Sequence, residues 1–174
     1  MRRAIHRLPA ALASLAITGL WPSAALAEPG DSGPGDLRAA IVYNIVRFVE
    51  FPVDGSSRLD MCIVRGADGA THLAALQGQR VGSRTIVARL VDLVPTGGCD
   101  VVYLGRANGT ETARASRRGV LLIGEAPSFI TSGGTVGLVR MGKQIRFEIN
   151  TRNARNAGLS ISSKLLRLAA RVQQ

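Results

Sequence analysis

The chain has 174 residues, 46% of them hydrophobic, 20% charged and 4% aromatic, with 22 basic residues against 12 acidic ones and a net charge of +10. That length holds one domain around one core, and the balance is that of a folded protein rather than a disordered or collagenous one. Two cysteines exclude a disulfide-dense scaffold, two histidines exclude most imidazole-based metal or catalytic clusters, and the lack of any run of eighteen apolar residues excludes a bundle of membrane-spanning helices.

Arg2, Arg3 and Arg7 precede the apolar run Leu8–Leu20, which Trp21-Pro22-Ser23 breaks and Ala25-Leu26-Ala27 follows. A positive start, a short apolar stretch and a small-x-small site are the parts of a secretory signal peptide, cleaved here after Ala27. The competing reading is a membrane anchor, for which the run is short. The mature chain, 28–174, is therefore expected in an exported compartment, and a bacterial periplasm fits best. Residues 28–35 (EPGDSGPG) offer nothing to bury and are expected to form a flexible tail.

The folded domain is expected over 36–174. Asp36 can cap a helix in which Leu37, Ile41, Asn44, Ile45 and Phe48 follow a helical stripe, with Pro52 ending the segment. A strand over 58–65 follows, then a short helix over 70–76 and a strand over 85–91. Gly97-Gly98 turns the chain into a buried strand at Val101–Leu104. A polar helix over 110–117 leads to a second fully apolar strand, Val120–Ile123. One helical turn is expected over 128–131, before Gly133-Gly134. Strands over 136–140 and 144–149 flank Gly142-Lys143 as a hairpin. Asn150 can cap a short helix that Gly158 stops. Ile161, Leu165, Leu168 and Val172 then line one face of a last helix. Continuous apolar strands separated by helices imply a sheet covered on both faces. The expected fold class is α/β: a single-domain sandwich with a mixed, largely parallel sheet, helices on both faces and an antiparallel C-terminal hairpin.

The residues that catalysis needs do not assemble in this order of letters. His72 is the one imidazole left after cleavage, and no pattern flanks it; the acids fall singly rather than in pairs. Gly66-x-x-Gly69 and Gly133-Gly134-x-x-Gly137 lack the Gly-Lys-Ser/Thr ending or third glycine of a phosphate loop. Ser162-Ser163-Lys164 has the letters of a Ser/Lys dyad, but adjacent helical residues point apart. Asn108-Gly109-Thr110 matches a glycosylation sequon and reads as a turn. No catalytic residue, cofactor or metal is expected.

Cys62 and Cys99 both survive cleavage. An even count in an oxidising compartment favours a disulfide over two buried thiols. The separation is no C-x-x-C redox pair, and the partner ligands of a zinc site are missing.

Charge is distributed unevenly. Residues 28–139 hold eleven basic and eleven acidic side chains. Residues 140–174 hold Arg140, Lys143, Arg146, Arg152, Arg155, Lys164, Arg167 and Arg171 against Glu148 alone. Lys164, Arg167 and Arg171 are spaced three and four apart and so are expected to share one face of the last helix. That face is either simply solvated or a patch for an acidic partner or anionic headgroups. Nucleic acid is not expected, since export removes the usual target and few aromatics are available for stacking.

Five stretches in order, Ala39–Pro52 (AAIVYNIVRFVEFP), Met61–Gly66 (MCIVRG), Gly98–Gly105 (GCDVVYLG), Phe129–Asn150 (FITSGGTVGLVRMGKQIRFEIN) and Asn156–Ala169 (NAGLSISSKLLRLA), resemble the YfiR family of small periplasmic proteins from about Leu37 to Val172. The resemblance implies a repressor rather than an enzyme: a compact α/β domain that tends to dimerise and binds the periplasmic domain of an inner-membrane diguanylate cyclase. It lowers cyclic di-GMP, restrains biofilm growth and answers to envelope or redox state. It also implies an OmpA-like outer-membrane lipoprotein that can sequester the repressor. Cys62 and Cys99 fall on the family's cysteine positions, which supports their pairing. The second cysteine pair that members can carry toward the C-terminal hairpin is absent, and Phe51 stands where relatives often have Trp. The rival class is a periplasmic small-molecule binding protein, which needs a pocket with convergent polar groups.

Overall fold

The computed structural model describes residues 34–52 and 55–174. The expected leader, residues 1–27, and the tail up to residue 33 lie outside the described residues.

Helix α1 runs over Pro34–Arg47. It starts three residues earlier than a cap at Asp36 would place it and takes in residues 34–35 of the expected tail, because proline suits the first turn, where its missing N–H has no partner to lose. Asp36 sits inside that first turn, where a negative charge is favourable. Strand β1 is Val49–Glu50, and β2, Arg58–Val64, runs through the middle of the domain. Helix α2 (Ala70–Ala74) leads to the short β3 (Arg80–Val81) and to β4 (Arg84–Val91). Then come β5 (Val101–Tyr103), α3 (Gly109–Ala115) and β6 (Leu121–Gly124). A 3-10 turn at Phe129–Thr131 leads to the hairpin of β7 (Val136–Met141) and β8 (Gln144–Asn150). Helix α4 (Thr151–Asn156), β9 (Ser160–Ile161), α5 (Ser163–Leu168) and β10 (Arg171–Gln173) complete the chain.

Eight strands form one mixed sheet in the order β10-β8-β7-β6-β5-β2-β4-β3, antiparallel only at β7–β8 and β3–β4. β1 and β9 pair separately, Val49 opposite Ile161. The expected fold class holds: α/β, largely parallel, with helices on both faces and an antiparallel hairpin near the C-terminus. On one face, α1 and α2 bury Val42, Ile45, Val46 and Leu73 against Leu59, Met61, Ile63, Val101, Tyr103, Leu121 and Ile123. On the other, Ala115 of α3 and the turn residues Phe129 and Ile130 pack on Cys62, Val102 and Leu122. Burial of both faces is why β5 and β6 read as unbroken apolar runs, each such side chain contributing about 1.5–3 kcal/mol on leaving water.

The winding opens a crevice. From β2 the chain moves outward through α2 to β4, then returns across β2 to β5 and continues through α3 to β6 and β7 in the opposite direction. In a doubly wound sheet the crevice outside the carboxyl ends of the strands opens where that direction reverses, here between β2 and β5.

Two local devices were visible in the letters. Asn150 caps α4, its side chain accepting from the Asn153 N–H at 3.0 Å. Gly142 takes the positive φ of 61° that the two-residue β7–β8 turn requires. Gly134, set aside above as part of no phosphate loop, has a packing role instead: with Gly124 it flanks the Phe129 ring so closely that a Cβ at either position would collide with it.

The expected last helix is the main correction. The Ser162 side chain accepts from the Leu165 N–H at 3.2 Å to start α5, which ends at Leu168. Ala169 is extended, the Ala170 N–H donates to the Phe147 carbonyl at 2.8 Å, and residues 171–173 become a strand parallel to β8. Of the four stripe residues only Leu165 lies buried in a helix; Ile161 belongs to β9, while Leu168 is 53% and Val172 38% exposed. The outer edge of β8 carries backbone groups that need partners, and a short strand supplies them where further helix in water gains little.

Candidate functional site

Cys62 lies mid-strand in β2 and Cys99 just before β5, with Cα atoms 5.8 Å apart and their sulfurs bonded. Both are buried in the second-face core. The bridge ties the crossover from β4 to β5 onto the central strand. Closing a loop of this size stabilises the fold by roughly 3–4 kcal/mol in the chain-entropy model. The Arg89 guanidinium lies 3.7 Å from the Cys62 sulfur and donates to the Gly98 carbonyl, so it braces the same turn.

The three cations expected on one helix face are not together on one. Lys164 and Arg167 stand exposed on α5, with the Lys164 ammonium 5.2 Å from the Phe48 ring centroid. Arg171 stands on β10 and meets the Glu148 carboxylate at 2.8 Å. Among the described residues it is the only one of the eight C-terminal basic side chains in an ion pair. Arg140, Lys143 and Arg146 are exposed around the hairpin tip. Arg152 and Arg155 are exposed on α4, so the outward positive charge is carried by the β7–β8 tip, α4 and α5, with Arg171 partly neutralised.

A buried polar knot escaped sequence reasoning. At the carboxyl ends of β5 and β6, the Tyr103 hydroxyl donates to the Glu125 carboxylate, and Arg38 Nε of α1 donates to the same oxygen at 2.7 Å. The Arg38 and Glu125 side chains are each only 9% exposed. Asp68 is a weaker second partner, 3.8 Å from Arg38. Burial first, then the bond to Glu125, pushes the Tyr103 hydroxyl far above its usual range. The bond to Glu125 outweighs burial and raises Arg38. The knot holds a neutral phenol and an ion pair, and it pins the start of α1 to the sheet. Arg38, Tyr103 and Glu125 are 22 to 87 positions apart, so only the fold could join them.

His72 is exposed on α2, with Asp36 at 3.6 Å. Among the described residues no three His, Cys, Asp or Glu side chains converge as metal ligands, and no helix is long and apolar enough to cross a membrane.

The sequence profile of the family described as YfiR/HmsC-like matches residues 35–170. No curated protein sequence matches the chain. Among solved structures, a conserved domain protein from Vibrio cholerae O1 biovar El Tor is similar with 14% identity and a TM-score of 0.51 over 80% of this chain and 60% of that one. The ABC domain in complex with L-Trp from Streptococcus pneumoniae gives 11% identity, a TM-score of 0.47 and the same coverage. The chain thus spans about 60% of the length of these solved chains. The Vibrio likeness bears on fold alone.

Proposed function

Because the chain belongs to the YfiR/HmsC-like family, we propose that it is a periplasmic regulator of cyclic di-GMP signalling that binds and represses an inner-membrane diguanylate cyclase. The observation that carries this reading is the extent of the match: residues 35–170 take in every element from α1 to α5. The architecture supports a binding role. A disulfide-tied sheet gives a rigid body, and its C-terminal part presents cations on α5 and on the β7–β8 tip that suit an acidic partner surface.

The mechanism is a binding switch. The protein binds the inactive arrangement of the cyclase's periplasmic domain more tightly than the active one and so shifts that equilibrium. A tenfold shift needs about 1.4 kcal/mol of differential affinity, within reach of a modest interface. The Cys62–Cys99 bridge keeps the docking surface in shape. Reduction lowers stability and releases the cyclase. A homodimer, and sequestration by an OmpA-like outer-membrane lipoprotein, belong to the same proposal.

Affinity capture of the tagged protein from solubilised membranes tests it. Recovery of a membrane diguanylate cyclase at low salt, and its loss at high salt, is the expected result. Capture without any cyclase contradicts it.

A further inference from the structure

We propose that the crevice at the point where the sheet's winding reverses binds a small amphipathic anion: an aliphatic body ending in a carboxylate. The crevice lies outside the carboxyl ends of β2, β4 and β5 and beside α3, with a volume of about 570 Å³, a size usual for small-ligand sites. This is the position at which doubly wound sheets hold ligands, and the inference does not depend on the regulatory reading above.

The lining sets the chemistry. Its apolar part is aliphatic: Val64 at the end of β2, Leu104 after β5, and Val94 in the β4–β5 crossover. No aromatic side chain lines it, so the site offers apolar burial without ring stacking. Leu93, at the rim, is 84% exposed, an apolar side chain with nothing yet to cover.

The charged part favours an anion. Arg65 is engaged with Asp92 at 2.9 Å. The Glu111 carboxylate accepts from the Asn108 N–H at 2.9 Å, closing the capping box of α3. Arg106 reaches Asp68 only at 3.7 Å. The Arg114 side chain lines the crevice and, among the described residues, has neither an ion pair nor a hydrogen bond. A guanidinium presents a planar set of donors that matches a carboxylate bidentately. A chain laid along Val64, Val94 and Leu104, with its head at Arg114, would satisfy that cation and let Leu93 fold over it.

Calorimetric titration of the purified protein with butyrate, hexanoate and octanoate tests the proposal, with octylamine as the cationic control. Affinity should rise roughly fourfold for each methylene added, the increment of burying that group, and octylamine should not bind. Arg114→Gln should weaken octanoate about tenfold, as loss of a charge-assisted bond does, while its unfolding midpoint stays at the wild-type value. Leu93→Ser should flatten the chain-length dependence. Equal affinity for butyrate and octanoate, undiminished binding by Arg114→Gln, or no binding of any of the three acids at millimolar concentration overturns it.

Discussion

Arg171 and Glu148 stand opposite each other in the β8–β10 pairing, and their side chains meet at 2.8 Å. A cation that the sequence places beside Lys164 and Arg167 on a helix is thus on a different element and largely occupied in holding the terminal strand.

That separation divides the effects of charge reversal. Lys164→Glu with Arg167→Glu should raise the dissociation constant for the cyclase's periplasmic domain about tenfold and flatten its salt dependence, with a stability loss of no more than about 1 kcal/mol from the lost contact of Lys164 with the Phe48 ring. Arg171→Gln should cost stability instead, about 0.5 kcal/mol, since the pair is half exposed. Titrations at two salt concentrations, with urea unfolding of each variant, measure both. A double variant that binds with unchanged affinity and salt slope removes α5 from the interface.

The wild-type protein in excess dithiothreitol should lose roughly 3–4 kcal/mol of unfolding free energy, and Cys62→Ser should lose at least as much, since it also buries a hydroxyl in the apolar core. Urea unfolding with and without reductant is the check. In cells, the variant at matched protein level should raise cyclic di-GMP; unchanged repression would take the bridge out of the regulatory account and leave it a structural part.

The elements legible in the sequence were those whose pattern is local. Val101–Tyr103 and Leu121–Gly124 are apolar without interruption because both of their faces are covered. The hairpin and α4 announce themselves through Gly142 and Asn150. What was hidden depends on distant chain. β1, β3, β9 and β10 are two or three residues long and exist because a neighbouring edge offers hydrogen bonds. Residues 161–172 satisfy a helical period as well as the β9–α5–β10 arrangement they adopt, and the free edge of β8 decides between them. The Arg38–Glu125–Tyr103 knot and the crevice at Arg114 need the sheet order, which no residue spacing in this chain discloses.

The knot predicts an uneven pair of substitutions. Glu125→Gln leaves the Arg38 guanidinium buried without its main counter-charge and should cost about 3–5 kcal/mol. Replacing both Arg38 and Glu125 by leucine should recover most of that loss. Chemical unfolding of Glu125→Gln and of the double leucine variant checks it; a double variant no more stable than Glu125→Gln contradicts the pairing.

Tyr103 gives the pH dependence its sign. In the folded protein its hydroxyl is raised above the ordinary phenol value of 10.0, so above that pH the unfolded chain loses a proton that the native state keeps. Stability contributed by this group is complete below pH 10 and falls as pH rises beyond it, by at most about 1.4 kcal/mol per pH unit. Tyr103→Phe should be less stable at pH 8 by about 1 kcal/mol and should lack this part of the alkaline slope. Parallel slopes for wild type and variant between pH 9.5 and 11 would refute the assignment.

The central claim is that this protein holds a cyclase down. Cyclic di-GMP measured in a strain lacking the chain, and in the same strain complemented with it, tests that most directly. The account predicts a raised level on deletion, returned to the parental value by complementation. Parental levels in the deletion strain under every growth condition tried would contradict it.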